Sequence, residues 1–223
     1  MIEKARLIAA HQFEVAPDDL EFEQGEFRVK GVPQKVVGIK AIALEAWTAH
    51  NLPDGMEPGL EETAVYDPPN FSWPGGAHAA VVEVDTETGD ARLVRYVAVD
   101  DCGAVVNPLI VDGQIHGGVT QGIATALYEE GLYDDEGNLM TTTMTTYLVP
   151  SAAEVPSFEL GRTETKSPTN PLGVKGVGET GTIAAAPAVV NAVIDALSHL
   201  GVTDIGMPTT PERVWRAIEE AKG

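Results

Sequence analysis

The chain has 223 residues, 43% of them hydrophobic and 22% charged, with a formal net charge of −20. Such a length buries one large core or two small ones, and the acidity excludes a nucleic-acid partner, which selects a basic surface. A single cysteine, Cys102, excludes a disulfide framework and any cysteine-held zinc or iron–sulfur site in this chain.

The first residues, Met-Ile-Glu-Lys-Ala-Arg, lack the apolar core of a signal peptide. Residues 2–16 carry Ile2, Ala5, Leu7, Ile8 and Phe13 at helical spacing, with Pro17 just beyond. Residues 20–29 alternate around Gln24-Gly25 and read as a hairpin, and 39–50 return to helical periodicity through Ile42, Leu44, Ala46 and Trp47. The expected first unit is thus a helix–hairpin–helix with a proline-rich connector, residues 1–76. The connector's aromatics, Tyr66, Phe71 and Trp73, are expected to pin it onto its own domain.

The second expected region is 77–223. Residues 79–85 and 91–100 alternate around Thr86–Asp90 as a hairpin. A helix is predicted over 111–130 despite Gly113, Gly117, Gly118 and Gly122, each of which costs a helix about 1 kcal/mol against alanine. Tolerating them implies close backbone approach on one face, by a neighbouring helix or by a ligand. Gln114 and Gln121 lie two turns apart on one face of that helix, suited to hydrogen-bonding a heterocycle or simply to capping surface backbone. Residues 139–148 read as extended and 158–163 as a strand. A helix through 183–200 carries Pro187 in its first turns. Asn191, Asp195 and His199 interrupt its apolar run, which argues against a membrane span. Thr210 and Pro211 cap a closing helix. The expected fold class is α+β, with mixed sheets covered by helices, and the expected location is cytoplasmic.

The stretch that organises the chain is residues 167–182, where Gly173, Gly176, Gly178 and Gly181 form a loop opening a helix. Such a loop is a ready anion site, yet Glu179 stands where the phosphate-loop pattern requires lysine, so an ATPase reading fails. A carboxylate held in a dry, glycine-lined loop is instead a candidate general base. The alternative is that Glu179 caps the helix or faces solvent. Lys175, beside it, is either a solvated lysine or an anchor for a negative group. The five histidines show no metal-ligand spacing and read as surface or hydrogen-bonded core residues, and Cys102 reads as a small core residue. No metal-ligating set is expected.

Taken in order, Asp101-Cys-Gly, Asn107-Pro108, Gly113-Gln-Ile-His-Gly-Gly-Val-Thr-Gln-Gly122, Thr146-Tyr-Leu-Val-Pro-Ser and Asn170–Thr182 resemble the C-terminal part of the molybdenum-binding large subunit of the xanthine dehydrogenase and aerobic carbon monoxide dehydrogenase family, on its carbon monoxide dehydrogenase-like branch. The resemblance implies that Glu179 is the active-site glutamate of an oxidative hydroxylation, or CO oxidation, that takes its oxygen from water. It implies that Gln121, Gln114, Gly118, Lys175, Gly176 and Gly178 line a molybdenum–molybdopterin pocket, the cofactor in its cytosine dinucleotide form. It also implies partner subunits carrying iron–sulfur clusters and FAD. The family's upstream half, with its glycine–phenylalanine-type loop and its substrate loop, has no counterpart here. The chain is therefore expected to be a split-gene product or a fragment, to pair with the missing N-terminal half, and to be inactive and metal-free alone. The competing expectation is a non-catalytic scaffold that kept the fold without the cofactor.

Overall fold

In the computed structural model, which describes residues 1–223, the first apolar stripe forms α1 (Ile2–Phe13), burying Ala5, Ile8, Ala9 and Ala10. The helix stops at Glu14 in a left-handed cap, earlier than the expected residue 16. The last turn closes on itself there: the Glu14 N–H donates to the His11 carbonyl and the Val15 N–H to the Ala10 carbonyl, which satisfies the helix's final carbonyls and turns the chain away. After a 3-10 turn, β1 (Leu20–Glu23) and β2 (Glu26–Val29) pair antiparallel with Leu20 opposite Val29. Their turn residues, Gln24 and Gly25, both have positive φ, the backbone that tight hairpins require. A short third strand, β3 (Val36–Gly38), pairs with β2, so the expected hairpin is a three-stranded meander. α2 (Ile39–Thr48) closes the unit over a core of Ile8, Phe27 and Ile42. Trp47, placed on its apolar side by periodicity, is 77% exposed.

Residues 1–67 and 68–223 form separate compact units. Gly75 and Gly76, at the end of the first expected region, belong to the first strand of the second unit. The connector's Phe71 and Trp73 are 78% and 75% exposed and meet each other, ring to ring, at 5.9 Å. They do not pin the connector to a core.

In residues 68–223 a mixed sheet carries the order β4 (Gly75–Val84), β5 (Ala91–Asp101), β6 (Phe158–Arg162), with β4 antiparallel and β6 parallel to β5. Residues 139–148 form turns instead of the expected strand. There the hydroxyl of Thr146 bonds the backbone of Thr143, a local closure that competes with strand pairing. α3 (Pro108–Leu127) and α4 (Thr180–Leu197) share a core with the sheet through Tyr96, Ile115, Val119, Ile123, Ala185 and Val189. α4 starts at Thr180, so Pro187 lies well inside it and not in its first turn. The C-terminal half of α4 packs with α5 (Pro211–Ala221) through Val193, Leu197, Val214 and Ile218. By length and composition alone, Thr180–Leu200 is apolar enough to cross a membrane, with mean hydropathy 1.5. Here its apolar face, from Ala185 to Leu197, is buried in the protein's own core.

Candidate active-site loop

The glycine-rich loop is pinned along its first half and open along its second. Gly173, in left-handed backbone, accepts hydrogen bonds from Ala104 and Ser167 N–H through its carbonyl, at 2.9 and 3.1 Å. Asn170 holds Val174 at both its N–H and its carbonyl. The Lys175 N–H donates to the Cys102 carbonyl at 2.8 Å, and Gly103 bridges Val174, fastening the loop to the exit of β5. Beyond this point, Gly176 and Gly178 have nothing within 4 Å of where a side chain would begin. That open backbone is what close approach by a bound group requires.

Glu179 occupies the N-cap position of α4, makes no side-chain capping bond and is exposed. The dry enclosure expected around it is therefore not built by this chain, because no residue here closes over the loop's open half. Its carboxylate makes no hydrogen bond to the helix it heads.

Lys175 is neither solvated nor held ready for an outside anion. Its ammonium donates to Asp101 Oδ1 at 3.1 Å, with the two side chains 15% and 12% exposed. Asp101 also accepts from the Gly103 N–H at 2.9 Å. Burial alone would raise the Asp101 carboxyl, but hydrogen bonds from Gly103, Thr165 and Lys175 outweigh it and hold that group well below the usual carboxylate range. Asp101 thus ties the β5 exit and the segment after β6 to the loop that carries Glu179. Sequence reading saw Asp101 only as part of a motif. Its partner lies 74 residues away, a separation that no local pattern reports.

α3 begins at Asn107, whose side chain accepts from the Leu109 and Ile110 N–H groups. Its glycines divide between two faces. Gly118 and Gly122 are buried against α4: a Cβ at Gly122 would lie 2.4 Å from that of Ala185, and one at Gly118 3.0 Å from the Thr182 nitrogen. Gly181 reciprocates, with the Ile115 carbonyl 2.7 Å from where its Cβ would be. Gly118 therefore serves the contact with α4. Gly113 and Gly117 face open space, and Gln114 and Gln121 are exposed. Because Gly181 sits against the Ile115–Gly118 turn, the head of α4 and this part of α3 are neighbours.

A cleft of about 320 Å³ lies beside the loop, lined by Cys102, Val106, Ile110, Val174, Lys175 and Val177 among others. It is mostly apolar. Cys102 is buried as expected, and burial pushes its thiol up, away from the reactive thiolate.

Residues 1–156 match the molybdopterin cofactor-binding domain family, and the chain belongs to that family. Within it, the chain is similar to large subunits of molybdenum hydroxylases of the carbon monoxide dehydrogenase type. It is 45% identical over 218 residues to the carbon monoxide dehydrogenase large chain of Hydrogenophaga pseudoflava, and 42% identical over 218 residues to the nicotine 6-hydroxylase large subunit of Paenarthrobacter nicotinovorans; each alignment covers 97% of this chain and 27% of the relative. Among solved structures it superposes on a Cu,Mo-CO dehydrogenase in its carbon monoxide-reduced state with TM-score 0.84, at 41% identity, covering 98% of this chain and 27% of the other. Quinoline 2-oxidoreductase from Pseudomonas putida 86 gives TM-score 0.82 at 43% identity, covering 98% and 28%. The chain thus spans about a quarter of the length of these relatives. The family match ends before the glycine loop, whereas the alignments to the relatives extend over 97% of the chain.

Proposed function

We propose that this chain forms the C-terminal part of a molybdenum hydroxylase catalytic subunit and supplies its active-site glutamate, Glu179. The observation that carries the reading is the junction of α3 and α4. An uncapped carboxylate and two glycines with open backbone stand at the head of α4, and the part of α3 packed against that head carries two exposed glutamines. A molybdenum–molybdopterin group, in its cytosine dinucleotide form, fits that donor set and when bound would supply two-electron redox chemistry. Gly176 and Gly178 let the backbone approach the group, and the Gln114 and Gln121 amides hydrogen-bond its heterocycle. Glu179 accepts the proton released as an oxygen from water is transferred to substrate. Lys175 acts one step back, fixing the loop through Asp101.

The open half of the loop calls for a cover from outside this chain. We assign that cover to the remaining part of the large subunit, which adds the missing wall and excludes water from Glu179. An iron–sulfur subunit and an FAD subunit complete the electron path, because one buried cysteine cannot hold a cluster. The similarity to enzymes named for carbon monoxide and for nicotine supports an oxidative hydroxylation or CO oxidation.

The test is co-expression with the neighbouring genes, purification through a tag on this chain, and measurement of bound molybdenum and turnover. Near-stoichiometric metal in the complex, and none in the chain purified alone, is the expected result. Glu179→Gln is expected to lower turnover by about 10²–10⁴-fold while the complex still assembles and holds metal. Turnover at the unaltered level in that variant would remove Glu179 from the mechanism. A folded chain that recruits neither partner nor metal would mark a scaffold that has lost its cofactor.

A further inference from the structure

Three of the most deeply buried polar side chains in residues 68–223 form a hydrogen-bonded chain apart from the glycine loop. His78 on β4 stands opposite Ala98 on β5, so its imidazole lies between Tyr96 and Asp100, the residues two before and two after Ala98 on the same face of the sheet. His78 Nδ1 is 2.7 Å from the Tyr96 hydroxyl, and Nε2 is 3.2 and 3.3 Å from the two Asp100 oxygens. The His78 and Asp100 side chains are 0% and 2% exposed, and Tyr96 is 0% exposed. A neutral His78 satisfies all three in one arrangement: Nε2–H donates to Asp100, and Nδ1 accepts from the Tyr96 O–H.

The two ends of this chain differ. Tyr96 is closed off, its ring edge-on to Phe158 at 5.6 Å within the core. Asp100 instead borders a pocket of about 100 Å³, partly open to solvent and lined by Pro74, Gly75, Gly76, Thr180, Ile183 and Ala184. This pocket lies against the first turn of α4, and Thr180 directly follows Glu179. A Cβ at Gly76 would fall 2.3 Å from Asp100 Oδ1, so glycine there keeps the space that the carboxylate occupies. A carboxylate can accept about four hydrogen bonds, and the Asp100 side chain receives only the Nε2–H of His78. Burial raises its carboxyl above the ordinary value, against the pull of His78. A buried acceptor with unused lone pairs on a pocket wall calls for a donor in that pocket, and the space exceeds the roughly 30 Å³ share of one water molecule.

We propose that Asp100, oriented by His78 and through it by Tyr96, holds an ordered water molecule in this pocket and thereby acts as a positioning residue for the first turn of α4 and for Glu179. The role rests on the catalytic reading of Glu179, but the water site itself does not. Asp100 would accept from the water, and the water would donate its second hydrogen to the Thr180 hydroxyl oxygen, which lines the same space and keeps acceptor capacity while its O–H donates to the Gly176 carbonyl.

The water is tested in the 223-residue chain, without cofactor. Nuclear Overhauser contacts from a long-lived water to the Gly76 and Thr180 amides, with His78 protonated at Nε2, are the expected observation. Their loss is expected in Asp100→Asn and their weakening in Tyr96→Phe, which removes only the orienting hydroxyl. No long-lived water in the unaltered chain would overturn the proposal. In the reconstituted complex, Asp100→Asn is expected to lower kcat by about tenfold or more with little change in KM, and Tyr96→Phe to lower it less. If Asp100→Asn fails to fold, Tyr96→Phe carries both readouts. Unchanged kcat in a folded Asp100→Asn complex, alongside an inactive Glu179→Gln, would overturn the positioning role and leave the catalytic reading standing. An active Glu179→Gln would sink the catalytic reading whatever Asp100 does.

Discussion

Asp101 sets the position of the loop at the residue scale. It gathers the Gly103 N–H and the Lys175 ammonium into one mostly buried cluster. Asp101→Asn keeps the shape and removes the charge, so it should weaken charge-assisted bonds while leaving the chain folded. The expected loss is about 1–3 kcal/mol, read as a lower urea midpoint with an unchanged slope, together with faster amide exchange at Val174 and Lys175. The same group predicts a pH dependence. In the folded chain its carboxyl lies below the ordinary 3.8, so on acidification the unfolded chain takes up the proton first. Its contribution is complete above that ordinary value and fades as pH falls towards the lower folded value. Asp101→Asn should therefore lose less stability than the unaltered chain across that acid window. Identical acid limbs in the two proteins would show that Asp101 is not held as described.

The division of glycines within α3 is a matter of elements packing. Gly122 faces Ala185 of α4, and an added methyl would meet it at 2.4 Å. Alanine there gains about 1 kcal/mol of helix propensity but forces two backbones apart, at a cost of about 1–3 kcal/mol. Gly117 has open space where its Cβ would go, so alanine gains the propensity without the clash. Thermal unfolding should give a lower Tm for Gly122→Ala and a higher one for Gly117→Ala. If the open face receives the cofactor, Gly117→Ala should also reduce metal loading in the complex even though it stabilises the chain. A Gly122→Ala variant more stable than the unaltered chain would contradict the close approach of α3 and α4.

For the whole molecule, the connector between the two units sets the expectation. Residues 61–74 hold no helix or strand, and Phe71 and Trp73 stand in solvent. Chymotrypsin, which cuts after aromatic residues, should cleave first at this point and leave two resistant pieces, one from each unit. Early cleavage inside α3 or α4 would mean that the second unit is not held together as its core implies. The net charge of −20 acts at this scale too. It favours solubility and disfavours polyanions, which agrees with a partner made of protein and not of nucleic acid.

Much of this was legible in the residue order. The Gln24-Gly25 turn, the Thr210 cap, the alternation of β4 and β5 and the apolar stripe of α4 are local patterns. Local backbone hydrogen bonding makes them so, since a cap or a turn involves residues within four positions of one another. Glu179 at the head of a helix after a glycine loop was readable for the same reason. The tertiary structure alone decided what those elements face. It turned Gly118 towards α4 and Gly117 away, and it joined Lys175 to Asp101 across 74 residues and His78 to Asp100 across 22. It also left Glu179 exposed where a dry pocket was expected. Propensity and periodicity report which face of an element is apolar, but which partner covers that face depends on contacts far apart in the chain, and these form only when the elements pack.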